Sequence, residues 1–124
     1  DNSERKVVKT ERLHRKAVSA MKQSMKAKLP IIHEPITFNR FIESVSASKK
    51  YIGYVDFSNP TQLHSIAPKN STYCMLIGPE GDFSTTELEK AISVGFEKVS
   101  LGSSRLRTET AGIVACQTLN LINE

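Results

Sequence analysis

Two short stretches place reactive or ligand-binding residue types where a strand gives way to a helix. The first is IGPEGDFSTTE, from Ile77 to Glu87. Within it, Gly78-Pro79-Glu80-Gly81 combines two glycines, a proline and a carboxylate. Glycines remove side chains, so backbone N–H and C=O groups can approach a ligand closely. Pro79 fixes one dihedral and stiffens the loop. The second stretch is LGSSRLRTETA, from Leu101 to Ala111. Arg105, Arg107, Thr108, Glu109 and Thr110 gather polar chemistry there at a helix start. Glu109 complements the positive end of a helix dipole. The two arginines do not, and an anionic partner or an ion pair would account for them. Neither loop matches the dinucleotide pattern G-x-G-x-x-G or the triphosphate loop G-x-x-x-x-G-K-[ST]. An uncharged planar group held by backbone edges fits better. The simpler alternative is two tight turns with no ligand.

Other reactive types form no constellation. His14, His33 and His64 are scattered, with no H-E-x-x-H pattern and no neighbouring cysteine, so no metal site is expected. No Ser-His-Asp arrangement can be read. Cys74 and Cys116 each sit in an apolar run, which predicts two buried, reduced thiols.

The elements that would carry these loops follow from periodicity. Glu11 to Met25 repeats apolar residues at helical spacing, with Thr10 as a candidate N-cap and Pro30 as a limit. Ile31-Ile32 could form a brief strand. A short helix runs from Pro35 and Thr37 through Phe38, Phe41 and Ile42. Strands are expected at Tyr51–Phe57, at Thr72–Gly78 and at Phe96–Gly102. The second is a continuous apolar run, as in a strand buried on both faces. Ser84 and Glu87 spell a capping box that opens a helix, and Gly95 is its natural stop. A last helix runs from Thr108, a candidate cap, to about Ile122. Strands alternating with helices predict an α/β fold with a mostly parallel sheet. In such sheets ligands bind beyond the carboxyl ends of the strands, where both glycine loops fall.

At 124 residues the chain suits one domain, and 39% hydrophobic with 24% charged residues excludes a disordered composition. No apolar run is long enough for a membrane span, and the polar start shows no signal-peptide pattern. A cytoplasmic setting is the default. The net charge of +4 is mild, but nine of the basic residues lie in the first 28, against three acidic ones. That segment is either a solvated basic helix or a footprint for phosphates.

Taken together, the two loops resemble the SPOUT class of S-adenosylmethionine-dependent methyltransferases. They are most similar to the bacterial family that methylates N3 of a uridine in small-subunit ribosomal RNA, whose motifs are IGPEGG(F/W)S and LG-x-RILR-x-ETA. Ser3 to Arg5, Lys22 to Ser24 and Pro30 extend the resemblance over nearly the whole chain. Three departures stand out. Asp82 replaces a glycine, Ser104 and Arg105 replace an Arg-Ile pair, and lysines stand at 26 and 28 where an arginine is usual.

The resemblance implies a knotted α/β domain with a C-terminal trefoil knot, S-adenosylmethionine as cofactor, and a homodimer. The apolar face of the last helix is a candidate for the dimer contact, or for the core. It implies Leu76, Ile77, Gly78 and Gly81 as the first cofactor-binding loop, with Leu101, Ser103, Leu106 and Thr108 as the second. Arg107 and Glu109 become the candidate catalytic pair. Lys6, Lys9, Arg12, Arg15, Lys16 and Lys22 become candidates for RNA backbone contacts. The family's PUA-like N-terminal RNA-binding domain has no counterpart here, and the first strand and helix of the methyltransferase domain are expected to be missing. Two alternatives stay open: a noncatalytic RNA-binding or ribosome-assembly module, and a related methyltransferase with another RNA substrate.

Overall fold

The computed structural model describes residues 11–13, 15–20, 30–55, 61–102 and 105–124. It divides into two units, Asp1–Thr37 and Phe38–Glu124.

In the first unit, residues 11–13 and 15–20 are helical (α1), as the apolar spacing predicts. The expected cap at Thr10 and the helix end near Met25 lie outside the described residues. Residues 30–37 form no regular structure, so no strand exists at Ile31-Ile32. Pro30 and Pro35 bracket that segment and offer no N–H to a sheet, and Ile31 is largely exposed.

The second unit carries the sheet. Its elements are α2 (Phe38–Ser44), β1 (Lys49–Gly53), α3 (Leu63–Ile66), β2 (Tyr73–Leu76), α4 (Thr85–Ser93), β3 (Glu97–Val99) and α5 (Thr108–Ile122). All three strands are parallel, in the order β2-β1-β3. Lys49 pairs with Tyr73 and Tyr51 with Glu97, so the first strand in the chain becomes the middle of the sheet. Consecutive side chains on a strand point to opposite faces. Tyr51 and Ile52, at 2% and 0% exposure, therefore anchor different cores. Ile52 packs with Ile42, Phe83, Ala91 and Phe96, and Tyr51 packs with Leu63, Val99 and Ala115.

The expected strands are longer than the observed ones. β1 starts at Lys49, ahead of the expected Tyr51, because the Lys49 amide donates to Thr72 O at 3.0 Å. β2 was expected to be buried on both faces, yet every residue in it is half-buried. Among the described residues it is an edge strand, and the buried central position belongs to β1.

Local chemistry sets the helix ends. At α4 both capping-box bonds are present: the Ser84 amide donates to Glu87 Oε1 at 2.8 Å, and the Glu87 amide donates to Ser84 Oγ at 3.1 Å. Replacing the cap, Ser84→Ala, is expected to cost about 1 kcal/mol in chemical denaturation. Past its C-terminus, Gly95 takes the left-handed φ of 99° that its position requires. α3 was not predicted. It is a single turn without a side-chain cap, held by the buried Leu63. The end of α5 is stapled by Asn123, whose Oδ1 accepts from the Asn70 amide at 2.7 Å and whose Nδ2 donates to the Tyr73 hydroxyl at 3.0 Å.

The expectation of two buried cysteines holds poorly. Cys74, on β2, is half-buried, and burial pushes its thiol pKa up against the opposing effect of Lys50. Cys116 is exposed. It follows Ala115, the one buried residue of α5, and the helix rotation carries it off the core face.

Candidate active site

The carboxyl ends of the three strands converge on one cavity of about 220 Å³. Gly53, Tyr54 and Val55 enter it from β1, Ile77 to Glu80 and Asp82 from β2, and Val99 to Gly102 from β3. Arg105, Leu106, Thr108 and Ala111 close it from the segment that opens α5. The two glycine loops, 24 positions apart, thus share one wall space, as the parallel-sheet reading expects.

Three side chains hold the loops by bonding to backbone. Thr108 Oγ1 donates to Gly78 O at 2.8 Å, tying the start of α5 to the first loop. This corrects the expected cap: Arg107 occupies the N-cap position, without a side-chain cap bond, and the Thr108 hydroxyl is committed to the loop instead. Asp82 is the second bracket. Its Oδ2 accepts from the Val55 amide at 3.3 Å, and its Oδ1 accepts from the Phe83 amide at 2.9 Å. Asp82 has a φ of 66°. That left-handed conformation explains why the related motif has glycine here, and aspartate is one of the few side chains that tolerate it. Gln62 is the third bracket. Its Oε1 accepts from the Gly102 amide at 2.8 Å, and its Nε2 donates to Gly102 O at 3.3 Å.

The predicted cofactor-binding residues are distributed around this cavity. Ile77, Gly78, Leu101, Leu106 and Thr108 line it. Leu76 is the last residue of β2 and packs toward the Ile52 core, outside the lining. Gly81 sits at the exposed tip of a turn closed by the Asp82 amide on Pro79 O at 2.8 Å, also outside the lining. Ser103 lies outside the described residues. Arg107 and Glu109 are exposed at the start of α5, beside the lining residue Thr108 but not in the lining.

The sequence reading missed Gly53, Tyr54, Val55 and Gln62. Gly53 ends β1 and Tyr54 and Val55 follow it, whereas the expected strand ran through all three to Phe57 and so hid the wall they form. Gln62 carried none. Pro79, Glu80, Asp82 and Arg105 were noticed but not assigned to the site. The rim holds both signs of charge, Glu80 and Asp82 with Arg105, while Ile77, Leu101 and Leu106 supply apolar wall. Among the described residues, no three His, Cys, Asp or Glu gather as metal ligands, and no helix is long and apolar enough to cross a membrane.

A family model for the RNA methyltransferase domain matches residues 1–120. The chain belongs to the RNA methyltransferase domain family. Its cavity therefore lies in an RNA methyltransferase domain, and relatives of known name give that domain its context. The chain is 32% identical to the ribosomal RNA small subunit methyltransferase E of Synechocystis over 120 residues, covering 94% of this chain and 40% of that protein. A crystal structure of a probable rRNA-methyltransferase from Porphyromonas gingivalis matches at TM-score 0.84 and 46% identity, over 91% of this chain and 49% of the other. A structure from Legionella pneumophila, solved with the cofactor SAM bound, matches at TM-score 0.91 and 26% identity, over 98% and 49%. The RNA methyltransferase domain described here thus spans less than half the length of each of these relatives.

Proposed function

We propose that this chain is the catalytic part of an S-adenosylmethionine-dependent methyltransferase that modifies a uridine N3 in small-subunit ribosomal RNA. The observation that carries this reading is the cavity where the three parallel strands end, walled by the two glycine loops of an RNA methyltransferase domain. The residues present fit the donor. Ile77, Leu101 and Leu106 offer apolar contact for a planar base. Glu80 and Asp82 offer acceptors for hydroxyl or ammonium groups. Cofactor-binding roles are accordingly assigned to Leu76, Ile77, Gly78, Gly81, Leu101, Ser103, Leu106 and Thr108, with Leu76 and Gly81 acting through the loop backbone they flank. A C-terminal trefoil knot is part of the proposal, since the fastening of Thr108 to Gly78 suits a chain end packed tightly against an earlier loop.

Bound there, the donor supplies a sulfonium methyl group to the nucleophilic nitrogen. The chain's own residues must do the rest. The target base has to leave its stack for its N3 to reach the methyl group. Its N3 must also lose a proton, which passes to solvent water, because the lone pair of a neutral imide nitrogen is delocalised. A guanidinium near a uridine carbonyl oxygen stabilises the anion that forms. Arg107 is assigned that role, and Glu109 the role of orienting it. Both stand where α5 begins, next to the cavity wall. The basic residues Lys6, Lys9, Arg12, Arg15, Lys16 and Lys22 suit phosphate contacts, which position RNA without reading its sequence. A cytoplasmic setting belongs to the same proposal, because small ribosomal subunits are found there. Ile113 and Leu121, at 70% and 55% exposure on α5, suit a homodimer contact.

The test pairs calorimetric titration of S-adenosylmethionine with methyl transfer to small ribosomal subunits lacking the modification. Saturable binding and methylation at uridine N3 are expected. Binding without transfer to any RNA would favour a noncatalytic module, and transfer to another position would overturn the substrate. In the same assay, Arg107→Ala is expected to lower kcat at least about tenfold while donor affinity changes less than about threefold. Equal losses in both would remove Arg107 from the transition state.

A further inference from the structure

Gly102 is the point where the chain leaves β3 and turns along the cavity. It is exposed, has a φ of 99°, and among the described residues no atom beyond its chain neighbours lies within 4 Å of where a side chain would begin. Packing therefore does little to choose its conformation, and glycine is the residue least restrained by its own sterics. Hydrogen bonding makes the choice instead. The Gln62 carboxamide meets both backbone groups of Gly102, accepting from its N–H at 2.8 Å and donating to its C=O at 3.3 Å.

Gln62 is itself well anchored. Its backbone forms a parallel bridge with Ser100. The bonds on either side are Ser100 N–H to Thr61 O at 2.7 Å and Leu63 N–H to Ser100 O at 3.1 Å. Leu63, the next residue, is 1% exposed and fixed in the Tyr51 core. The backbone of this segment thus tracks β3 to its end, and the Gln62 side chain continues the pairing two residues further, where no strand remains. Gln62 and Gly102 both line the cavity.

We propose that Gln62 is a positioning residue: its carboxamide holds Gly102 in the left-handed conformation and so sets the backbone edge that the methyl donor meets. This rests on reading the cavity as the donor site. Gln62 acts through Gly102, without transferring atoms to the substrate. An amide suits the task because it carries a donor and an acceptor side by side. A carboxylate carries acceptors only, and a protonated carboxyl again carries one of each.

That difference gives a test that a merely structural role would not pass. S-Adenosylmethionine is titrated into the protein, Gln62→Leu and Gln62→Glu, each at about pH 8 and about pH 4, well above and just below the ordinary glutamic acid value of about 4.3. Affinities are compared with the unchanged protein at the same pH. Gln62→Leu is expected to bind about tenfold more weakly at both values, as the loss of two modest hydrogen bonds dictates. Gln62→Glu is expected to be as weak at the higher pH, where its carboxylate faces the Gly102 carbonyl, and to recover toward the unchanged protein at the lower one. Affinity unchanged in Gln62→Leu, or a loss in Gln62→Glu that ignores pH, would overturn the proposal. Amide exchange at Gly102 without ligand separates this from the donor reading. Exchange accelerated in Gln62→Leu supports the clamp even if the unchanged protein proves not to bind S-adenosylmethionine. Exchange that stays the same refutes the clamp whatever the binding.

Discussion

Gly78→Val should weaken S-adenosylmethionine binding by about 100-fold or more, as a tightened binding wall and a branched side chain entering the donor's space act together. A Cβ at position 78 would lie 3.1 Å from two carbons of the Phe83 ring and 3.3 Å from its backbone nitrogen. Such distances require something to move. Phe83 is poorly placed to do so. It is 9% exposed, belongs to the Ile52 core, and meets the Phe38 ring at a centroid distance of 5.8 Å. Its amide is also held by Asp82. The loop must therefore give way, which pulls Gly78 O from the Thr108 hydroxyl and loosens the junction with α5. The branched side chain adds to the effect by occupying the cavity that Gly78 lines. Calorimetry on both proteins checks this, with a thermal melt to confirm that the variant is folded. Binding within threefold of the unchanged protein would show that the first loop is not a donor wall.

The largest effect on stability should come from Ile52→Ala, a loss of about 2–5 kcal/mol. Ile52 is fully buried in the central strand and paired with Leu76 on one side and Lys98 on the other. Truncation leaves a hole bounded by Ile42, Phe83, Ala91 and Phe96, which belong to separate elements of the unit. Because each is fixed by its own contacts, the site cannot collapse cheaply. For a unit of this size the thermal midpoint should fall by roughly 10–20 °C. A domain of ordinary stability would keep only part of its margin. Equilibrium denaturation measures the loss directly, and a change below about 1 kcal/mol would mean that the core repacks far more freely than close packing permits.

The Asp82 bracket bears on how the departures from the related motif should be read. An aspartate in place of glycine looks like a change in backbone freedom. In the folded unit it keeps a left-handed φ, its Oδ2 ties the first loop to Val55 just past β1, and its Oδ1 accepts from the next amide of the loop, that of Phe83. The substitution therefore preserves the loop's conformation and adds a fastening that glycine lacks.

What this chain declares in its sequence is what short-range physics can enforce. The capping box at Ser84 and Glu87 needs only three residues of context, and it forms as spelled. Gly95 ends α4 because few other residues take its φ. The span of α5, the alternation of strands with helices, and the two family motifs were all legible in the same way. The order of the strands was not. It depends on parallel pairing between segments more than twenty residues apart, and no local pattern records which strand takes the middle. Once β1 lies between β2 and β3, several consequences follow together. β2 becomes an edge, Gly53 to Val55 become a wall of the cavity, and α3 exists because Leu63 has a core to enter. Gln62 and Asp82 acquire their partners in the same way, as polar side chains whose bonding groups meet backbone only after the sheet has brought distant loops side by side.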